Sequence, residues 1–159
     1  MHEAIKKVLD ERRPPGLSKE LERGEVVVAE TRDGFALQSR DLAEALSTWF
    51  DVGEPSSAGE AWGAVVGETW RMTIAAASRI GGPDDCVVLR DEAAQRFLYG
   101  RGVRPNDIQA RRTPRGPGER VFVCDRFGNV LGLAFIEATS NGLGLRPLLD
   151  LGWYLREGG

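Results

Sequence analysis

The sequence predicts an α+β protein of two small domains, the first mixing helices with strands and the second forming a β-barrel. Gly81 to Asp85 reads Gly-Gly-Pro-Asp-Asp, the clearest linker in the chain. The net charge changes sign there, from −6 over residues 1–85 to +3 over residues 86–159. Beyond the linker, short apolar strands outnumber helices, which is typical of a small barrel. We therefore predict domains over residues 1–81 and 86–159.

Composition narrows the class of protein. The chain has 159 residues, 42% of them hydrophobic, which supports a packed core. No apolar run approaches the ~20 residues of a membrane span, and no secretory signal is visible, so we expect no membrane partner. Cys86 and Cys124 are too few for a disulfide framework or a zinc site. Both fall in predicted strands, so we predict buried free thiols. A bridge between them requires neighbouring strands.

The first domain is predicted from apolar spacing and turn residues. Ile5, Val8 and Leu9 form one helical stripe, and Asp33-Gly34 is a hairpin turn signal. Ser39 is a suitable helix cap. The predicted elements are helices over 2–12, 17–23 and 39–50, a hairpin over 26–37, and strands over 62–66 and 69–75. Residues 76–80 are ambiguous. Trp49, Trp62 and Trp70 are expected either in the core of this domain or at the seam between domains.

The second domain contains one clear helix. Asp91 is a plausible N-cap, Ala93, Ala94, Phe97 and Leu98 share one face, and Gly100 suits a left-handed C-terminal position. An apolar stripe on so short a helix must dock on a sheet. The other predicted elements are a strand at 86–90, a cationic loop at 110–118, a hairpin of strands 121–124 and 130–136, a turn at 141–144, a strand at 145–149 and a last turn at 151–156. Both hairpin strands are apolar on both faces, which predicts a closed or covered sheet.

Catalytic chemistry has little support in this sequence. The single histidine, His2, lies at the terminus, where it would not be held as a general base. Gly142-Leu143-Gly144 does not follow a strand and open a helix, so it is no phosphate-binding loop. The carboxylates form no pair in an apolar setting. We expect a protein that is not an enzyme and uses no cofactor.

The strongest functional signal is a run of arginines. All 11 cations of residues 86–159 are Arg, against 8 Asp and Glu. Guanidinium groups bind phosphate in bidentate fashion and stack on bases, so the pattern favours an anionic partner such as nucleic acid. The alternative is a solvated loop. The candidate contact residues are Arg101, Arg104, Arg111, Arg112 and Arg115, with Tyr99 able either to stack on a base or to pack in the protein.

Three stretches resemble a known family. Ala93, Phe97-Leu98-Tyr99-Gly100 and Val103 are similar to the opening of the PUA RNA-binding domain, in the version found in the ribosome-biogenesis family called nuclear import seven. The stretch from Gly59 to Gly63 and the run from Trp70 to Ile74 resemble the end of that family's N-terminal, pre-PUA domain. Residues 150–156 resemble its C-terminal strand. The first 50 residues carry hardly any resemblance.

The resemblance implies a PUA-type β-barrel and a non-enzymatic RNA-binding factor of large-subunit ribosome biogenesis, acting on precursor ribosomal RNA. It implies a cytoplasmic location, or a nucleolar one in a eukaryote. Family members carry a basic C-terminal cluster, of which only Arg156 is present here. That departure shifts the expected RNA contact to the loop arginines. The acidic first domain is expected to bind other assembly proteins. The alternative function is a protein–protein adaptor whose barrel does not bind RNA.

Overall fold

Two compact units, Met1–Ile80 and Gly81–Gly159, make up the chain. The computed structural model describes residues 1–12, 14–31, 34–48, 58–82 and 84–152. Each unit contains its own sheet, with four strands in the first and five in the second among the described residues. Helices and strands occur in both units, so the predicted α+β class is confirmed.

The first unit is an antiparallel sheet with helices around it. Its elements are α1 (Glu3–Arg12), α2 (Pro15–Glu22), β1 (Val26–Thr31), β2 (Gly34–Ser39), α3 (Arg40–Thr48), β3 (Glu60–Val66), β4 (Thr69–Met72) and α4 (Ile74–Ile80). The strand order is β1-β2-β3-β4, each strand pairing with its neighbour in sequence. The hairpin of β1 and β2 follows the prediction, although Asp33 of its turn lies outside the described residues.

Two tryptophans centre the core of the first unit. Trp62 and Trp70 are buried, and their ring centroids are 5.7 Å apart. From α1, Ile5 and Leu9 are also buried, as their helical spacing predicts. The N–H of Leu42 donates to Ser39 Oγ at 3.3 Å, which is the expected cap of α3. Trp49 and Phe50, the end of that predicted helix, lie outside the described residues.

The strand predicted over 69–75 is too long. It ends at Met72, and Ile74–Ile80 forms α4, which also resolves the ambiguous residues 76–80. Thr73 causes the change, because its Oγ1 accepts from the N–H of Ala76 at 3.2 Å and so caps the new helix. The alanines that follow favour a helix over a strand.

The second unit is a curled five-stranded sheet with one helix. Its elements are β5 (Cys86–Leu89), α5 (Asp91–Leu98), a 3₁₀ turn (Pro105–Asp107), β6 (Ile108–Arg111), β7 (Arg120–Cys124), β8 (Val130–Thr139) and β9 (Gly142–Asp150). The strand order is β6-β5-β7-β8-β9, with β5 and β7 parallel and the other pairs antiparallel. An isolated bridge between Val103 and Leu145 joins the segment after α5 to β9.

Helix α5 docks its apolar face on this sheet, as predicted. Phe97, Ala93 and Ala94 are buried in a cluster with residues of β5, β7, β8 and β9. Every residue of β5 is buried, and so are Val121 to Cys124 of β7. These strands are therefore covered on both faces, as their continuous apolar runs predict.

Three local predictions in the second unit are wrong. Asp91 is the first residue of α5 rather than its cap: Arg90 precedes it, and Asp91 forms an ion pair with Arg126 at 2.9 Å. The cationic loop begins two residues later than predicted, because β6 pairs with β5 through Arg111. The turn predicted over 141–144 is shorter, because β9 begins at Gly142.

The two cysteines are free and buried, which confirms the prediction. They lie on the neighbouring parallel strands β5 and β7, where Cys86 is opposite Phe122 and Cys124 is opposite Val88. A hydrogen bond from Cys124 lowers the pKa of Cys86. The same contact, together with burial, raises the pKa of Cys124 far above its usual value, so this thiol stays protonated.

Candidate nucleic-acid interface

Residues 100–104 follow α5 and carry two of the predicted contact residues; we call them the arginine segment. Gly100 adopts a φ of 72°, the left-handed conformation that its position predicts. Its N–H donates to Phe97 O at 2.8 Å, and the N–H of Arg101 donates to Arg96 O at 3.2 Å. These bonds end the helix and fix the direction in which the segment leaves it.

The middle of the arginine segment is held against β9. The N–H of Val103 donates to Leu145 O at 2.8 Å, and the N–H of Leu145 donates back to Val103 O at 2.9 Å. Such close approach requires glycine at position 144, since a Cβ there would lie 2.8 Å from Val103 O. The predicted Gly142–Gly144 turn is thus a strand whose second glycine makes room for the segment.

The far end of the segment is fixed by Asp107. This carboxylate accepts from Arg96 Nη2 at 2.5 Å, from the N–H of Arg104 at 3.0 Å and from Arg104 Nε at 3.4 Å. Its side chain is only 13% exposed. Burial by itself would raise the pKa of Asp107, but the hydrogen bonds from Arg104 and Arg96 outweigh it and hold the pKa below its usual value.

Three predicted contact residues are exposed on this rigid backbone. Tyr99 is 71% exposed, so it does not pack into the protein. Arg101 is exposed, and no hydrogen bond or ion pair of its side chain occurs within the described ranges. Arg104 is 75% exposed despite its contact with Asp107. Tyr99 and Arg101 line a concavity of about 400 Å³ together with Glu92, Gln95 and Arg96. Arg101, whose guanidinium has no partner among the described residues, and Tyr99 line the same concavity, an arrangement that suits a phosphate and a neighbouring base.

The other predicted arginines are placed around the end of β6 and the loop that follows. Arg111 donates through Nη2 to Arg115 O. The guanidinium of Arg115 lies 3.9 Å from Asp85 and 3.7 Å from Glu119, and its side chain is only 24% exposed. The N–H of Arg112 donates to Cys86 O at 2.8 Å, and its side chain is on the exposed surface. Arg115 therefore holds the loop together and has less freedom to reach a ligand than Arg101. Arg156 lies outside the described residues.

One exposed aromatic residue, Phe127, was not predicted as a candidate contact from the sequence. Phe127 is 75% exposed in the turn between β7 and β8, and the guanidinium of Arg126 lies 4.6 Å from its ring centroid. The available signal was an aromatic residue beside a glycine in a hairpin turn, a position where polar residues prevail.

The second unit is similar to known PUA domains. Residues 85–159 match the family model described as the UPF0113 PUA domain. Among solved structures, a conserved PUA domain protein from Thermoplasma acidophilum is similar, with a TM-score of 0.51 and 13% identity over 86% of this chain and 87% of that chain. No curated protein sequence matches. The predicted PUA-type barrel is thereby confirmed.

PUA domains generally bind RNA, which supports a general RNA-binding role for this chain.

Within the described parts of the chain, no helix is long and apolar enough to cross a membrane. The same parts contain no group of three or more His, Cys, Asp or Glu residues placed to hold a metal ion.

Proposed function

We propose that this chain is a non-enzymatic RNA-binding factor of large-subunit ribosome biogenesis, whose second unit holds precursor ribosomal RNA. The observation that carries the proposal is the arginine segment, which presents Arg101 beside exposed Tyr99 on a fixed backbone. A site already ordered before binding loses little conformational entropy when RNA arrives. The ribosomal role rests on the resemblance to the nuclear-import-seven family, and it implies a cytoplasmic location.

In the proposed mechanism, Arg101 and Arg104 hold phosphates while Tyr99 stacks on an unpaired base. Phosphate contacts position the RNA without reading its sequence, so selectivity would come from unpaired bases along α5. The first unit contributes differently. Residues 1–80 hold 10 Lys and Arg against 14 Asp and Glu, a net charge of −4, which repels a polyanion at short range. This acidic surface is free to bind other assembly proteins.

RNA binding is tested with labelled single-stranded and hairpin RNAs by fluorescence anisotropy over a series of salt concentrations. We expect wild-type affinity to fall as salt rises, because bound arginines release counterions. A variant combining Arg101→Gln with Tyr99→Ala should lose about ten-fold or more in affinity, since stacking alone contributes about 1–3 kcal/mol. The matched control combines Lys6→Gln with Lys7→Gln on exposed positions of α1. It should bind as the wild type does.

Absence of salt-sensitive binding to either RNA would favour the adaptor function instead. The ribosomal assignment needs a separate measurement, which is crosslinking in cells followed by sequencing of the bound RNA. Enrichment of large-subunit precursor RNA is the expected result. Crosslinks concentrated on messenger or transfer RNA would contradict the ribosomal role while leaving RNA binding intact.

A further inference from the structure

The turn Asp125–Asn129 is more rigid than its surface position requires. Asp125 Oδ1 accepts from the N–H groups of Phe127 and Asn129, both at 2.9 Å. Its other oxygen accepts from Asn129 Nδ2 at 2.8 Å, and the N–H of Gly128 donates to Asp125 O at 3.1 Å. The backbone of Phe127 is therefore fixed although its ring is exposed to solvent.

Arg126 contacts both the Phe127 ring and the first residue of α5. Its Nη1 lies 2.9 Å from Asp91 Oδ2 at the beginning of α5, and its guanidinium is stacked 4.6 Å from the Phe127 centroid. One face of the ring is thus covered by a planar cation, and the turn is docked beside the helix N-terminus. Arg–aromatic stacking of this kind also strengthens the binding of bases.

Phe127 and Tyr99 consequently lie at opposite ends of the same helix. Tyr99 directly follows the last residue of α5, whose eight residues span about 12 Å. The exposed side chains of Glu92 and Gln95 lie along the helix surface between the two ends. Both aromatic residues are more than 70% exposed. One RNA strand that follows the helix over this length can reach both residues.

We propose that Phe127 is a second stacking platform, which binds one unpaired base of an RNA strand while another base of the same strand stacks on Tyr99. This inference rests on the proposed function. The occupant is a base rather than a phosphate because Arg126 is neutralised by Asp91, while Glu92 and Asp125 add negative charge nearby. The face of a base is uncharged, and only an unpaired base can present it.

The test measures binding of a labelled uridine oligonucleotide of about ten residues by the full-length chain and its Phe127→Ala variant. The variant should bind about 5- to 100-fold more weakly, as expected for one lost stacking contact. Its dependence on salt should equal that of the wild type, because no phosphate contact is removed. Phe127→Trp should restore binding, since it keeps an aromatic face.

A matched control is Val66→Ala, which shortens another exposed apolar side chain beside a hairpin turn, in the first unit. Its affinity should remain that of the wild type. If the wild type binds RNA and the affinity of Phe127→Ala is within about two-fold of it, Phe127 is not a stacking platform. The proposed function is then unaffected. A loss accompanied by weaker salt dependence also overturns the platform, because charge rather than stacking would have been lost. Failure of the wild type itself to bind overturns the proposed function.

Discussion

Arg96 Nη2 lies 2.5 Å from Asp107 Oδ1, and this ion pair ties α5 to the 3₁₀ turn before β6. The two residues belong to different elements, one before and one after the arginine segment, so their contact holds the two ends of that segment together. Asp107 also binds Arg104, so a single carboxylate organises two arginines around the candidate interface. Its limited exposure makes the contact stronger than an ordinary surface ion pair.

Replacing Asp107 should therefore destabilise the second unit. Asp107→Asn keeps the shape of the side chain but removes its charge, leaving Arg96 without a partner carboxylate. We expect the free energy of unfolding to fall by about 1–3 kcal/mol, as is typical for hydrogen bonds to charged groups. Urea denaturation followed by circular dichroism measures the change. Asp84→Asn, at an exposed position, should change stability by less than ~0.5 kcal/mol.

The stabilising effect of Asp107 should depend on pH. Because the folded pKa of Asp107 is lowered, its stabilising effect is fully present above the unfolded pKa of ~3.9 and is lost as pH falls through the lower folded value. The stability difference between wild type and Asp107→Asn should thus be constant from neutral pH to about pH 5. It should shrink at more acidic pH. A difference that grows on acidification would contradict the assigned direction.

Salt dependence should distinguish the arginines that contact RNA. Arg101→Gln should reduce the slope of log affinity against log salt by roughly 0.7, the contribution of one phosphate in a single strand. Arg115→Gln should leave the slope unchanged, because Arg115 is held between Asp85 and Glu119. Combined replacement of Arg111 and Arg112 tests the predicted loop contact and should lower the slope by about 1.4 if both bind phosphate. Equal slopes for wild type and Arg101→Gln would exclude a phosphate contact by Arg101.

Gly144 should tolerate no side chain. In Gly144→Ala, the new Cβ meets Val103 O at 2.8 Å, so the bridge to β9 must open or shift. We expect a loss of about 1–3 kcal/mol in stability, typical of overpacking, together with weaker RNA binding. Gly102→Ala is the control, because its Cβ would lie 3.5 Å from Leu145 O, an ordinary contact. If Gly144→Ala and Gly102→Ala unfold at similar temperatures, glycine is not required at position 144.

The cysteines should be unreactive in the folded protein. Both are buried, so a reagent cannot reach them, and the raised pKa of Cys124 also disfavours its thiolate form. The lowered pKa of Cys86 favours its thiolate, so burial alone protects that residue. A chromogenic thiol reagent should label neither residue under native conditions and both in denaturant. Rapid labelling of the native protein would show that β5 and β7 separate easily, although Cys86 and Cys124 are both buried.

Local patterns predicted much of the second unit. The apolar spacing of Ala93, Ala94 and Phe97 identified α5, and the glycine at position 100 identified its end. Strand β6 was missed because only Ile108 and Ala110 mark its inward face. Its structure depends on backbone pairing with β5, which residue types do not encode. Tertiary pairing therefore decided the extent of the cationic loop.

The candidate interface was only partly predictable for a related reason. Arginine content selected a stretch of sequence, but it could not separate Arg101 from Arg115. Arg101 is exposed without a partner among the described residues, whereas Arg115 lies near two carboxylates. Asp85 and Arg115 are brought together only by the fold. The exposure of Tyr99 was likewise one of two alternatives that sequence alone left open.

The bridge between Val103 and Leu145 also has a consequence for synthesis of the chain. It joins positions 42 residues apart, so the arginine segment cannot reach its final geometry until β9 has emerged from the ribosome. Contacts this distant in sequence form late, because a long loop must close first. A nascent chain that ends before β9 already displays its arginines but lacks the bridge that orders them. Completion of the last strands thus times the moment at which the arginine segment reaches its final geometry.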